Sequence, residues 1–381
     1  MSTIPLSIPH LAGSEWEYVK ECLDTGWVSS AGAFVRRLEE SLAAYTGSAY
    51  AIATVNGTSA LHLGLQLLGV KPGDYVLLPD LTFVASCNAI RYLGADPILL
   101  DVSPESWQLD LDLLEEFLMN YTHLNERDEL VLKRDGRVIR ALLPVHLLGS
   151  IGDMERLLFI GQRFHLPILE DAAEALGTQW KGQAAGTFGK IGTLSFNGNK
   201  IITTGGGGMI LTADEALAQQ ARHLSTQAKV SPDEYDHDEV GYNYRLVNVL
   251  AAIGLAQMEQ LDGFLAQRRR IDRTYREQLG DLPDIRFQET GAHAQPNGWL
   301  FTLRTPRKEA LLAHLRKHGI GTRPIWKPMH TLPMYAKSLY IRQEDHAQAI
   351  YDQGVSLPSS SSLKPEEQAY VIERIRELHN A

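Results

Sequence analysis

Two cysteines in 381 residues, Cys22 and Cys87, are too few for a disulfide framework, and neither shows metal-ligand spacing. No apolar run reaches the roughly 18–20 residues that span a bilayer; a stretch such as 138–151 is broken by Arg140, Pro144 and His146. Basic side chains are the minority, 36 against 46 acidic ones, and the net charge of −10 disfavours nucleic acid and anionic lipid, which both need a basic face. That sign leaves room for a small anionic ligand, which needs only a few well-placed donors. Residues 1–6 carry no basic stretch leading into an apolar core, so no secretory signal is read and a soluble, cytoplasmic protein is expected. Internal repeats and low-complexity tracts are absent.

Two nucleotide-binding signatures are missing as well. A dinucleotide-binding dehydrogenase needs Gly-x-Gly-x-x-Gly after an early strand, and here the first strand leads into Asn56-Gly57-Thr58. The glycine run Gly205 to Gly208 precedes a strand rather than a helix. A P-loop fails at Gly189-Lys190, because Ile191 follows and Ala184 stands where the first glycine belongs.

What is present is the composition of a globular protein, 44% hydrophobic and 22% charged, long enough for two domains. Helix patterns run from Ser14, as N-cap, to Gly26 and from Phe34 to Gly47. Strand patterns follow at 50–55, 75–78, 97–100, 138–145, 167–169, 191–196 and 208–211, with helix patterns between most of them. This alternation predicts an α/β fold with a mostly parallel sheet covered on both faces. A long helical pattern from Asn248 to about Gln278 leads into mixed short elements, so a change of domain is expected near residue 256. The expected division is 1–255 for a large α/β domain and 256–381 for a small α+β domain.

Three segments carry candidate chemistry. In Ser195-Phe-Asn-Gly-Asn-Lys200 a lysine follows a strand end and precedes four glycines; a lysine fixed in a tight turn can meet an aldehyde as a Schiff base when burial lowers its pKa. In Ile168-Leu-Glu-Asp171-Ala-Ala-Glu174 an apolar strand delivers an acid at its C-terminal end, where it either pairs with a ring nitrogen or caps the next helix. Asn56-Gly57-Thr58-Ser59 is a strand-to-helix turn of small and hydroxyl residues, which serves either as a phosphate site or as an ordinary N-cap by Thr58 or Ser59. Each is bland alone. Their order, with Lys200 29 residues after Asp171, supplies a phosphate anchor, a ring-nitrogen partner and an aldehyde anchor for one cofactor.

These residues resemble the DegT/DnrJ sugar aminotransferases over essentially the whole chain. Thr25-Gly-Trp-Val-Ser-Ser30, Val55-Asn-Gly-Thr-Ser-Ala-Leu61, Pro144-Val-His-Leu147, Glu170-Asp-Ala-Ala173, Asn197-Gly-Asn-Lys200, Gly241-Tyr-Asn-Tyr-Arg245 and the segment Arg323 to His330 are similar to the LegC-like branch. The resemblance implies fold type I, the aspartate-aminotransferase-like fold of pyridoxal-phosphate enzymes, with a mostly parallel seven-stranded sheet and a smaller C-terminal domain. It implies that Lys200 holds pyridoxal 5'-phosphate and that Asp171 contacts the pyridine nitrogen. Gly57, Thr58, Ser59 and Ser195 would bind the phosphate, and Phe83 would stack on the ring. Glu174, where many relatives have His or Gln, would lie near the cofactor in an open role. Asn243 would reach the phosphate of a neighbouring subunit, giving a homodimer with shared active sites. Ser29 and His330 are placed near the sugar, and Arg245 and Arg323 near the donor carboxylate.

The function so implied is transfer of an amino group from L-glutamate, through the pyridoxamine form, to a nucleotide-linked keto-sugar. UDP-4-keto-6-deoxy-N-acetylglucosamine is the expected acceptor, in surface-glycan synthesis. A related dehydratase would carry histidine at position 200, and the intact Lys200 and Asp171 also disfavour a non-catalytic regulatory protein. The loop Tyr235-Asp-His-Asp-Glu239 shows no matching ligand pair at helical spacing, so no metal is expected. Arg268-Arg269-Arg270 is expected on the exposed face of the long helix.

Overall fold

The structure, a computed structural model, describes residues 3–231 and 233–380. All seven expected strands form: β1 (Tyr50–Thr54), β2 (Tyr75–Pro79), β3 (Asp96–Leu100), β4 (Ile139–Leu142), β5 (Leu169–Asp171), β6 (Ile191–Ser195) and β7 (Gly208–Thr212). An eighth, β8 (Leu339–Ile341), comes from the C-terminal part and pairs parallel with β3. The order across the sheet is β8-β3-β2-β4-β5-β6-β7-β1, with parallel bridges Leu142–Ile168 and Val145–Asp171 joining the β4 edge to β5. Only β7 runs against the others. Strands such as β2 are buried at every residue, as a sheet covered on both faces requires.

The covering helices are α1 (Glu15–Thr25), α2 (Ala33–Thr46), α3 (Gly57–Leu67), α4 (Val84–Tyr92), α5 (Leu111–Tyr121), α6 (Met154–Arg163), α7 (Glu215–Ser225) and α8 (Asn248–Met258). The C-terminal part holds α9 (Leu261–Leu279), α10 (Lys308–Lys317), α11 (His346–Gln353) and α12 (Pro365–Asn380). A small antiparallel sheet, ordered Arg286–Phe287, Thr302–Arg304, Gly354–Ser356, Arg323–Pro324, packs with them.

Local chemistry sets the helix ends. Gly26 and Gly47 take left-handed φ of 76° and 73° and stop α1 and α2, as their sequence positions predict. Ser14 makes no side-chain cap to α1. The cap of α3 is Asn56, whose side chain accepts the Ser59 N–H at 2.8 Å, rather than Thr58 or Ser59.

Two expectations are corrected here. The long helix is two helices, because Glu259 and Gln260 interrupt it between α8 and α9. Arg268 is not on an exposed face: its guanidinium is buried and donates to the carbonyls of Trp299 and Ser359 at 2.6 and 2.8 Å. Leu261, Phe264 and Leu265 of α9 join the large core, while Ile271, Tyr275 and Leu279 join the C-terminal one. Ile4 belongs to that C-terminal core and pairs parallel with Ile320. No helix among the described residues is long and apolar enough to cross a membrane.

Candidate active site

Because β1, β2, β4, β5 and β6 run in one direction, their C-terminal ends and the start of β7 lie along one edge of the sheet. Asp171 ends β5; Thr193 of β6 is its register partner, which sets Ser195 two residues beyond that level. Gly208 opens β7 opposite both Ser195 and Thr54. The start of α3 follows β1 directly, so Gly57 faces Ser195. A Cβ on Gly57 would stand 2.8 Å from the Ser195 Cβ, and one on Gly208 would meet the Asn56 carbonyl at 2.5 Å. These two glycines are required by close approach.

The result is a compact donor set. The first-turn amides at Gly57 and Thr58 have no intrahelical acceptor by position. The hydroxyls of Thr58 and Ser195 have no hydrogen-bond partner in the chain among the described residues. Such a set, at the positive end of α3, suits a phosphate. Ser59 is buried and its N–H is spent on Asn56.

Asp171 is buried at the strand end, 5% exposed. Ser86 in the first turn of α4 donates to its Oδ2 at 2.6 Å, and the Ala173 N–H donates to Oδ1 at 3.1 Å. Ser86 in turn lies 3.0 Å from the Thr82 hydroxyl. A carboxylate held this way keeps its orientation. Phe83, half exposed at the head of α4, meets Trp326 edge-on at 6.5 Å.

Lys200 sits in the turn after β6, its side chain only 13% exposed. Its Nζ lies 3.8 Å from Glu174 Oε1 and 4.1 Å from the centre of the Trp299 ring. Burial pushes the lysine below its ordinary value, opposed by Glu174 and Asp171. Glu174 is pushed up to about 7, chiefly by burial, with Lys200 pulling it down. Its other oxygen accepts the N–H of Leu148, at 2.7 Å. Leu148 adopts φ of +59°, a left-handed conformation that a leucine takes only when its surroundings impose it. Trp299 stacks on Trp326 at 6.0 Å, and its indole N–H is tied to the Asn199 carbonyl at 2.7 Å. The lysine is thus amine-bearing, dry and fixed from several sides.

The remaining expected residues are scattered. His330 lies over the C-terminal end of β2, where its Nδ1 is 2.6 Å from Oδ2 of the fully buried Asp80. The Asp80 contact raises the imidazole pKa. Asn243, Ser29 and Arg323 are exposed, and their side chains make no hydrogen bond among the described residues. Arg245 is engaged elsewhere: it ion-pairs with the buried Glu39 at 2.5 Å and donates to the Ala53 carbonyl, tying α2 to β1. That role leaves its placement at the donor carboxylate without support. His237 is bound to the Gln227 carbonyl at 2.8 Å.

The sequence does not single out Ser86, Trp299 or Asp80, and it gives Asn56 and Trp326, though in quoted segments, no role of their own. A first-turn serine three residues after Phe83 could have been weighed as a donor to Asp171. Nothing local marks Trp299, which reaches the lysine only through the C-terminal fold, or Trp326, which stacks on Trp299 and meets Phe83.

Residues 9–376 match the DegT/DnrJ/EryC1/StrS aminotransferase family. The chain belongs to this family. A GDP-perosamine synthase of Escherichia coli O157:H7 is 39% identical over 381 residues, covering 100% of both chains. Among solved structures, S. venezuelae DesV, in complex with a ketimine intermediate, aligns at a TM-score of 0.87 and 31% identity over 97% of this chain and 95% of its own. A Streptococcus pneumoniae protein solved in its PLP form aligns at 0.88 and 25% identity over 99% and 98%. This member of the DegT/DnrJ/EryC1/StrS family is therefore a pyridoxal-phosphate-dependent sugar aminotransferase of the fold type I class. The matches do not single out the LegC-like branch.

Proposed function

We propose that Lys200 is the cofactor lysine and that the enzyme moves an amino group from L-glutamate to a nucleotide-linked keto-sugar. One observation carries the assignment: a buried amine stands on the sheet edge that also presents Asp171 and the Gly57/Ser195 donor set. That edge suits the cofactor: Gly57, Thr58 and Ser195 would hold its phosphate, Asp171 its ring nitrogen and Phe83 the face of its ring. When bound, pyridoxal phosphate supplies an electron sink and a carrier for the amino group.

The chain's own residues do the rest. Lys200 Nζ moves the proton at the donor's α-carbon, for which burial of the amine favours the neutral, basic form. Asp171, locked by Ser86, holds the ring nitrogen in its protonated state. Glu174 stays beside the lysine and would offset the charge it gains on taking that proton. Trp299, backed by Trp326, covers the amine on one side, and Arg323 is free to meet an anionic substrate group. The exposed, unpartnered Asn243 supports a homodimer in which it reaches a neighbour's phosphate site.

For the acceptor we favour a GDP-linked keto-sugar whose amination gives a GDP-perosamine-type product. The full-length identity to GDP-perosamine synthase supports this reading. The UDP-linked N-acetylhexosamine expected from the LegC-like motifs is the second reading. Borohydride reduction should fix the cofactor's mass on the peptide carrying Lys200, and labelling of any other side chain would overturn the assignment. The pyridoxamine form, mixed with GDP- and UDP-linked 4-keto-sugars, should be consumed in one turnover by the GDP compound. Consumption by the UDP compound alone would select the second reading.

A further inference from the structure

The C-terminal part carries a cluster that amino transfer does not use. His314 and His318 lie four residues apart at the end of α10, and Glu377 approaches them from α12. One ligand atom from each of these three side chains lies within 4.8 Å of the other two. The spacing puts both imidazoles on one face of the helix, with ring centres 4.7 Å apart. Nothing in the sequence around Cys22, Cys87 or His237 points to this pair.

Two features point to a ligand. Nε2 of His314 is buried and has no hydrogen-bond partner, with Glu377 Oε2 3.7 Å away. Leaving such a group unpaired is costly, and a cation bound there would remove that cost. Nδ1 of His318 lies 3.4 Å from the Tyr370 hydroxyl, which leaves Nε2 for a ligand role and gives the ring the second contact that orients a metal-bound imidazole. His318 also closes α10, where the negative end of the helix dipole favours a cation. One neighbour opposes: Arg374 Nη1 is 2.8 Å from Glu377 Oε2. Coordination therefore requires Glu377 to offer its other oxygen or to release Arg374.

We propose that His314, His318 and Glu377 bind one divalent transition-metal ion, with Zn2+ the best match to two imidazoles and a carboxylate. Three protein ligands leave a fourth position for water. The ion fastens α10 to α12, which already share the C-terminal core through Leu311, Leu315, Val371 and Ile375. It acts as a staple on that domain and takes no part in amino transfer.

The test uses untagged holoenzyme freed of metal by a chelator. Calorimetric titration with Zn2+ should give one ion per chain at this site and a higher Tm at saturation. Co2+ should show visible ligand-field bands of an imidazole-carboxylate site. H314A and E377Q should each weaken binding about tenfold or more, since even loss of an outer-shell contact has an effect of that order. Amino-transfer rates should be unchanged in both variants. Zn2+ affinity that H314A, H318A and E377Q leave untouched would overturn the proposal, as would no binding at all. E377Q alters an exposed side chain, so its result does not depend on a disturbed core.

Discussion

The ammonium of Lys200 and the carboxylate of Glu174 face each other at 3.8 Å, with side-chain exposures of 13% and 5%. Burial drives both toward their neutral forms, and each opposes that drift in the other. Glu174 stands at about 7 in the folded chain against 4.5 ordinarily. Between those values the folded state holds more protons than the unfolded one, so this group makes stability fall as pH rises through that window. E174Q should flatten the dependence. Tm measured across the window on cofactor-free protein checks it; a slope identical to wild type would show that the carboxylate does not titrate there.

His330 and Asp80 give a second pH effect. The Asp80 hydrogen bond raises the His330 pKa, while burial raises that of Asp80 itself. For His330 the stabilisation is full below its ordinary 6.5 and disappears as pH rises through the folded value. D80N should bring the imidazole pKa down and cost about 1.5–3 kcal/mol at low pH, the worth of a hydrogen bond to a charged group. NMR titration of the His330 ring reads the first effect, and denaturant unfolding the second.

Gly57 has no room for a side chain. G57A would drive its Cβ to 2.8 Å from that of Ser195, in the middle of the phosphate donor set. We expect a loss of about 1–3 kcal/mol, as overpacking brings elsewhere, and weaker pyridoxal-phosphate binding in an absorbance titration. S195A removes the hydroxyl without the clash and should leave the fold's stability nearly intact.

Ser86 holds Asp171 with a 2.6 Å bond. S86A should leave Asp171 with a free lone pair and lower stability by about 1.5–3 kcal/mol. The drop should appear in cofactor-free protein, and amino transfer should slow further because the ring-nitrogen partner loses its orientation. Equal unfolding midpoints for wild type and variant would rule this out.

Much of the large domain could be read from the sequence because its signals are local. Each of β1 to β7 is a short apolar run between helix patterns, and Gly26 and Gly47 mark helix ends by their own conformation. The Asp171 and Lys200 segments were visible because strand ends expose them in a fixed order. Less could be read where long-range packing decides. Leu339–Ile341 has three residues, all half-buried, and becomes a strand only because β3 offers an edge. The helix break at Glu259 and Gln260 carries no proline or glycine. Arg268 and Arg245 look like surface cations until the carbonyls and the carboxylate that hold them, from distant segments, are in place. His314 and His318 gain meaning only when α12 brings Glu377 alongside.

The two halves of this enzyme are interlaced. Ile4, from the beginning of the chain, is built into the C-terminal core, while Leu339–Ile341, from near its end, completes the border of the large sheet. Neither half can depart without tearing a strand or a core residue from the other. A protease nick at the junction should therefore leave a single particle that melts in one step, and expressing 1–255 by itself should yield a sheet with a raw, sticky border at β3.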